Sequence, residues 1–255
     1  MCPRRTTRWA LPLLVVAVTL AGCAHADPRP VARAAPAPAP VVTAPATRVT
    51  TVPAPPPPAV VATADVAKVA VYPSLGAGGP EATLANPNEL GVPLVFLVTS
   101  QQPDWLEVML PMRPNGATGW VRASDVTLST DDWRMQVELG AHRLTVWKGA
   151  DVVRQETVAV GTTAAPTPTG DFYLTEVLDT GNPRGAYGPW AFGLSAFSDV
   201  YTSFAGGPGQ VGLHGTNQPG LLGTDASHGC IRVANDVITA LATSVPPGTP
   251  ISVVS

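Results

Sequence analysis

Eleven of the forty residues from Ala24 to Thr63 are proline and none is aromatic, so this stretch has little with which to build a core. Proline fixes φ, withdraws a backbone donor and favours extended polyproline geometry. Alanine, valine and threonine fill most of the remainder, and a segment that buries so little apolar surface stays unfolded. The tract over 24–63 is predicted to be a disordered tether, reaching on the order of 120 Å at most at about 3.1 Å per residue. It divides the chain of 255 residues unequally. A short segment, 1–23, precedes it, and about 190 residues follow, enough for two modest domains.

The first, 64–130, is rich in short strand-like runs: Lys68 to Tyr72, Pro93 to Thr99, Trp105 to Leu110 and Thr118 to Arg122. Clusters such as Pro114-Asn115-Gly116 separate them, which predicts a small all-β barrel. Trp105 and Trp120 sit at alternating strand positions and are expected in its core rather than on a ligand surface. The second, 133–255, opens with alternating runs from His142 to Trp147 and from Val152 to Val160. Lys148-Gly149-Ala150-Asp151 joins them as a hairpin turn. Asp171 to Leu178 is another strand. Asn235 is placed to cap a helix from Asp236 to Ser244 with Val237, Ile238, Leu241 and Val245 on its apolar face. Pro246-Pro247-Gly248 ends the helix, and Pro250 to Val254 reads as a closing strand. The sequence shows no internal repeat and no phosphate-binding glycine loop.

The segment 1–23 reads as a secretory leader. Arg4, Arg5 and Arg8 precede an apolar run from Trp9 to Leu20, which is too short to span a membrane. It ends in Leu20-Ala21-Gly22-Cys23, which resembles the lipobox of bacterial lipoproteins. That resemblance implies cleavage before Cys23 and lipidation of Cys23. The product would be an exported protein anchored to the cell membrane and facing the cell wall. Of three cysteines, Cys2 then leaves with the leader and Cys23 is modified, so Cys230 is the one thiol of the folded body. It has no partner for an internal disulfide, and an unpaired thiol outside the cytosol marks a reactive group. The net charge of −3, with no basic run, argues against a nucleic-acid partner.

Two of the four histidines lie close to that thiol in sequence, in His214-Gly215-Thr216 and Ser227-His228-Gly229-Cys230-Ile231-Arg232. A thiol with a nearby imidazole is the minimum equipment for cysteine acyl transfer: the base takes the proton and the thiolate attacks a carbonyl. With Thr167-Pro168-Thr169-Gly170 upstream, the three motifs in this order make 133–255 resemble the catalytic domain of the L,D-transpeptidases, peptidoglycan cross-linking enzymes. The barrel, through Asp104-Trp105-Leu106-Glu107-Val108 and Gly119-Trp120-Val121, resembles bacterial Src-homology-3-like domains. The expected fold is thus mainly β: a small all-β barrel, then an L,D-transpeptidase-type β-sandwich with one C-terminal helix.

The resemblance implies that Cys230 is the nucleophile and His214 its base, oriented by the carbonyl of Gly215, with amides around Gly229 and Cys230 receiving the oxyanion. The implied substrates are peptidoglycan stem peptides, donor and acceptor. Attack on the third residue of a tetrapeptide would release D-alanine, and an amine of a second stem would resolve the thioester. Ser227, His228 and Arg232 are candidate substrate contacts, as are Tyr187, Trp190 and Tyr201 in the aromatic, glycine-rich stretch 181–209, which is expected to wall or cover the site. Two other readings stand beside this one: an L,D-carboxypeptidase that uses water as acceptor, and a non-catalytic wall-binding lipoprotein. His142 is expected to be structural or solvent-facing. Although His214, His228, Cys230 and Asp225 could in principle ligate zinc, no metal or other cofactor is expected.

Overall fold

The strand Pro250–Val254 lies in the middle of the larger module's sheet and joins its two parts. A computed structural model describes residues 56–204 and 206–255; the leader, Cys23 and most of the proline tract lie outside the described residues.

The first module contains β1 (Ala59–Ala64), β2 (Lys68–Val71), β3 (Ala82–Ala85), β4 (Val95–Gln102), β5 (Trp105–Met109), β6 (Thr118–Arg122) and β7 (Val126–Asp131). Five of these form a sheet in the order β6-β5-β4-β1-β7, while β2 and β3 pair separately and a Tyr72–Trp120 bridge links them to β6. Side chains on a strand alternate between faces. Leu106 and Val108 of β5 and Val121 of β6 point inward to meet Val69, Val71 and Phe96, all buried. Trp105 and Trp120 share the parity of Glu107 and therefore lie on the outer face, half-buried, against the expectation that they fill the core. There Tyr72 and Trp105 meet edge to face at 5.0 Å, and the Arg122 guanidinium caps Trp105 at 4.3 Å.

The expected domain boundaries also shift. The tether was expected to run to Thr63, yet Ala59–Ala64 is β1 and pairs with both β4 and β7. Its Ala-Val-Val-Ala-Thr-Ala sequence contains no proline, so every N–H remains available to the ladder.

The second module comprises β8 (Trp133–Glu138), β9 (Arg143–Lys148), β10 (Asp151–Thr157), β11 (Val160–Gly161), β12 (Gly170–Asp179), β13 (Trp190–Phe197), β14 (Gln210–His214), β15 (Asp225–Ser227), β16 (Ile231–Arg232), α1 (Asn235–Ala242) and β17 (Pro250–Val254). Eight strands form one sheet in the order β10-β9-β8-β17-β12-β13-β14-β16. β17 runs parallel to β8 and antiparallel to β12, joining the N-terminal hairpin to the site-bearing strands. Val237, Ile238 and Leu241 seat α1 on a core that includes Phe172, Leu174, Phe192, Leu194, Leu213 and Ile231.

Two local expectations need correction. The run expected from Val152 to Val160 is broken after Thr157, and Val160-Gly161 pairs with β15 instead. Asn235 is not the helix cap: Ala234 occupies that position without a side-chain bond, and α1 begins at Asn235 and ends at Ala242. The Asn235 amide is committed elsewhere, as shown below.

The two modules form one compact unit. Tyr173 of β12 is fully buried between them and donates its hydroxyl to the Val95 carbonyl at 3.1 Å, packed with Val61 and Met109. Burying a phenol this deeply requires such a partner.

Candidate active site

Parallel pairing of β14 with β16 sets Leu213 opposite Ile231 and His214 opposite Arg232. Cys230 immediately precedes β16, so His214 and Cys230, sixteen residues apart in sequence, are brought together by the strand pairing. The Gly212 N–H donates to Cys230 Sγ at 3.4 Å. His214 is 4% exposed, and its Nδ1 lies 2.6 Å from the Gly215 carbonyl, the expected orienting group. A carbonyl only accepts, so Nδ1 carries the proton and Nε2 keeps a lone pair.

Burial dominates the electrostatics of this pair. It lowers His214 from 6.5 to about 4; the Gly215 carbonyl works against that fall and the Arg232 charge adds to it. It also pushes the Cys230 thiol up, opposed by the Gly212 N–H and Arg232. Desolvation disfavours the charged form of each. At rest the pair is therefore a neutral thiol and a neutral imidazole, not an ion pair. Such a pair can perform general-base chemistry, with the proton moving as the sulfur attacks.

The turn before the thiol is held internally. Ser227 is 1% exposed; its hydroxyl donates to the Cys230 carbonyl and accepts from the Gly229 N–H at 3.1 Å. The Ser227 hydroxyl and the Gly229 amide, expected to face substrate and oxyanion, are thus engaged with the turn itself. Gly229 itself has φ +115°, where an L side chain is strained, and the Pro166 carbonyl would lie 3.5 Å from an added Cβ. The Thr167 hydroxyl accepts from Gly161 N–H at 2.9 Å, so the Thr-Pro-Thr-Gly stretch braces the floor beneath this turn.

Aromatic groups flank the pair on two sides. Tyr187 packs edge-on against the His214 ring at 4.7 Å. Tyr201 and Phe204 pack against His228 at 6.0 and 5.6 Å and, with Gln210 and Cys230, line a small cavity. His228 is exposed, at the mouth of this flank. Trp190 is half-buried and packs against the hydrophobic core, and its carbonyl accepts from Gly215 N–H at 3.2 Å. Arg232 donates to Gln218 at 3.4 Å, while its Nε is buried and has no partner among the described residues.

His142 and Asp225 lie outside this constellation and bind each other at 2.7 Å. Among the described residues, no group of three His, Cys, Asp or Glu side chains is arranged to hold a metal ion.

Three features of the site carried no usable sequence signal. The Asn235 side chain accepts from Thr216 N–H at 2.7 Å, and its oxygen fills the space that a Cβ on Gly188 or Gly215 would need. It thus pins the turn after His214 against the Tyr187 loop. Gln210 donates to Thr175, Glu176 and the Leu194 carbonyl, and burial raises the Glu176 carboxyl beneath the site. Finally, Arg113 and Asn115 reach this region from the first module.

A β-sandwich with a half-buried thiol just before one strand and an oriented imidazole at the end of the strand paired with it has the architecture of an acyl-transfer enzyme. The family comparison narrows this class. A model of the L,D-transpeptidase catalytic domain, YkuD, matches residues 132–253. The Bacillus subtilis protein bearing the name L,D-transpeptidase YkuD is 35% identical over 124 residues, covering 49% of this chain and 67% of the relative. Its Bacillus licheniformis namesake is 34% identical over the same span. This chain belongs to the L,D-transpeptidase family. Among solved structures, an Enterococcus faecium L,D-transpeptidase is similar at 23% identity with a TM-score of 0.37, covering 48% of this chain and 50% of that one. An L,D-transpeptidase from Mycobacterium smegmatis is similar at 17% identity with a TM-score of 0.40, covering 73% and 99% respectively. The chain thus spans two thirds of the Bacillus relative's length and half of the Enterococcus chain.

Proposed function

We propose that this protein is a peptidoglycan L,D-transpeptidase that joins the third residues of two stem peptides through a thioester on Cys230. The observation that carries the reading is the Nδ1–H bond from His214 to the Gly215 carbonyl, which leaves Nε2 as an acceptor at the end of a strand whose paired neighbour directly follows Cys230. In the first half-reaction, Nε2 takes the thiol proton as Sγ bonds to the carbonyl carbon of the donor's third residue. The oxygen becomes an oxyanion, for which the Cys230 N–H is the donor left at the turn once Gly229 is bound to Ser227. The C–N bond then breaks, the proton passes from His214 to the departing D-alanine amine, and a thioester remains. In the second half-reaction, a side-chain amine of another stem attacks the thioester and gives its proton to Nε2. Collapse expels the thiolate, which regains that proton, and an amide cross-link is formed.

The neutral orienting carbonyl stabilises an imidazolium less than a carboxylate would. A thiol tolerates this because it ionises more easily than a serine hydroxyl. The Arg232 guanidinium, which reaches Gln218 through Nη1 and whose charge acts on Cys230, supplies the cation for a carboxylate of the anionic stem. Tyr187 packs on the His214 ring and Tyr201 lines the cavity beside Cys230, each supplying an apolar surface at the site. A lipid at Cys23 and the proline tract after it would place this unit beyond the membrane and within reach of the wall.

The test is intact-mass analysis of the protein mixed with a disaccharide-tetrapeptide, alongside Cys230→Ala. A native-only adduct followed by a dimer linked between third residues is expected. Cross-linking by Cys230→Ala would overturn the proposal, and an adduct that decays only to free tripeptide would make the enzyme a carboxypeptidase.

A further inference from the structure

The flank of Cys230 formed by Tyr201 and Phe204 is held from the other module. The loop between β5 and β6 is itself braced, with Ala117 N–H donating to the Pro114 carbonyl and Leu110 N–H to the Ala117 carbonyl. From it, the Asn115 side chain reads the Phe197 backbone in both directions, accepting from its N–H and donating to its carbonyl, each at 2.8 Å. The Arg113 guanidinium sits 4.9 Å from the Phe197 ring centroid. It donates to the carbonyls of Ser198 at 2.8 Å, Tyr201 at 3.0 Å and Pro208 at 2.8 Å. One planar group therefore ties together both arms of the segment that leaves β13 and returns to β14. The arms approach so closely that a Cβ on Gly209, at φ +75°, would run into the Tyr201 carbonyl.

These arms place Tyr201 and Phe204 against His228 and leave a cavity of only about 10 Å³ beside Cys230. That is room for about one water, so a substrate group enters on this flank only as far as the two rings allow. Arg113 holds the Tyr201 carbonyl, and Asn115 holds the Phe197 backbone at the base of the same arm.

We propose that Arg113 and Asn115 are positioning residues for the acyl-transfer site: the first module sets the wall of the thiol's pocket through them, and so sets how a donor peptide is seated. The inference rests on the transpeptidase reading for its substrate, but the clamp itself is independent of it. Neither residue takes part in the thiol–imidazole chemistry, so their loss should change access and binding rather than the chemical step.

The experiment compares the full chain with Arg113→Ala, Arg113→Lys and Asn115→Ala. The first readout is the rate of Cys230 alkylation by iodoacetamide; the second is tetrapeptide acylation resolved into KM and kcat. Loss of a charge-assisted hydrogen bond is expected to speed alkylation by about fivefold or more in Arg113→Ala. Arg113→Lys, a point charge that cannot span three carbonyls, should fall between it and the parent. KM for the tetrapeptide should rise several-fold in Arg113→Ala and Asn115→Ala, with kcat changed less than about twofold. Hydrogen exchange at the Val200 and Tyr201 amides, which donate to the Ser198 hydroxyl, should accelerate in parallel. Unchanged alkylation and KM in all folded variants would overturn the proposal, as would a fall in kcat alone. If the parent accepts no acyl group from the tetrapeptide, the transpeptidase reading fails, and alkylation still decides the clamp. Should Arg113→Ala not fold, Arg113→Lys and Asn115→Ala decide it by the same two rates.

Discussion

Burying a neutral imidazole couples the stability of this protein to pH, and the coupling can be isolated. His214 titrates at about 4 in the folded chain, against an ordinary 6.5, chiefly because burial penalises its charged form. Above pH 6.5 neither state binds the proton. As pH falls from there to about 4, the unfolded chain takes it up and the folded chain does not, so stability is lost as pH falls. At about 1.4 kcal/mol per pH unit, the loss attributable to His214 comes to about 3 kcal/mol. Glu176 and Asp131 act in the opposite sense. Burial raises both carboxyls, so each binds its proton more readily folded than unfolded and adds stability as pH falls through its raised value.

The perturbation that separates these contributions is His214→Asn, whose amide nitrogen stands where Nδ1 does, so it keeps an N–H for the Gly215 carbonyl and removes the titration. Urea unfolding of parent and variant across about pH 7 to about pH 4 gives two curves that share every carboxylate. The parent is expected to lose about 3 kcal/mol more than the variant over that range. Parallel curves would refute the reasoning, since they would mean that the imidazole is as easily protonated folded as unfolded. The same experiment bears on catalysis, because an imidazole that stays neutral to about pH 4 remains available as a base throughout the neutral range.

The neutral resting pair also predicts that Cys230 shows no thiolate absorbance at about pH 7 and that its alkylation rate climbs continuously as the solution becomes alkaline; a thiolate already formed below about pH 6 would contradict this. A carbapenem presents a strained amide carbonyl to the same thiol, so it should add its mass to the reduced parent and not to Cys230→Ala; an unmodified parent would undo the assignment of the nucleophile. Asn235→Ala leaves the Thr216 N–H without its acceptor, at a cost of about 1–3 kcal/mol. It should lower the thermal midpoint by several degrees and slow carbapenem acylation, and a variant unchanged in both would show that Asn235 does not hold the turn after His214.

How much of this was legible beforehand depended on whether the signal was local. Thr118 to Arg122, the hairpin turn at Gly149-Ala150 and the closing strand Pro250 to Val254 were readable because alternation and turn chemistry act within a few residues. Trp105 and Trp120 misled for the same reason: alternation reveals two faces, but only packing decides which one is inward, and Leu106, Val108 and Val121 took the core. The end of the proline tract was misplaced because β1 has no partner within its own segment; β4 and β7 make it a strand. Asn235 looked like a cap because an asparagine before an apolar helix usually is one, whereas tertiary contact gave its amide to Thr216.

The site divides in the same way. The sequence by itself determined the chemical equipment, since one thiol and two histidines among glycines need no long-range information to be recognised as a group. The resemblance to the L,D-transpeptidases added the Gly215 carbonyl as the group that orients the base. The tertiary structure alone decided that burial keeps that pair neutral, that the Ser227 hydroxyl serves the Gly229 N–H and the Cys230 carbonyl, and that Trp190 packs half-buried against the core. It alone brought Arg113 and Asn115, more than eighty residues from their partners, onto the loop beside Cys230. Reactivity patterns are written in short spacings, whereas desolvation and reach depend on which distant strands close over them.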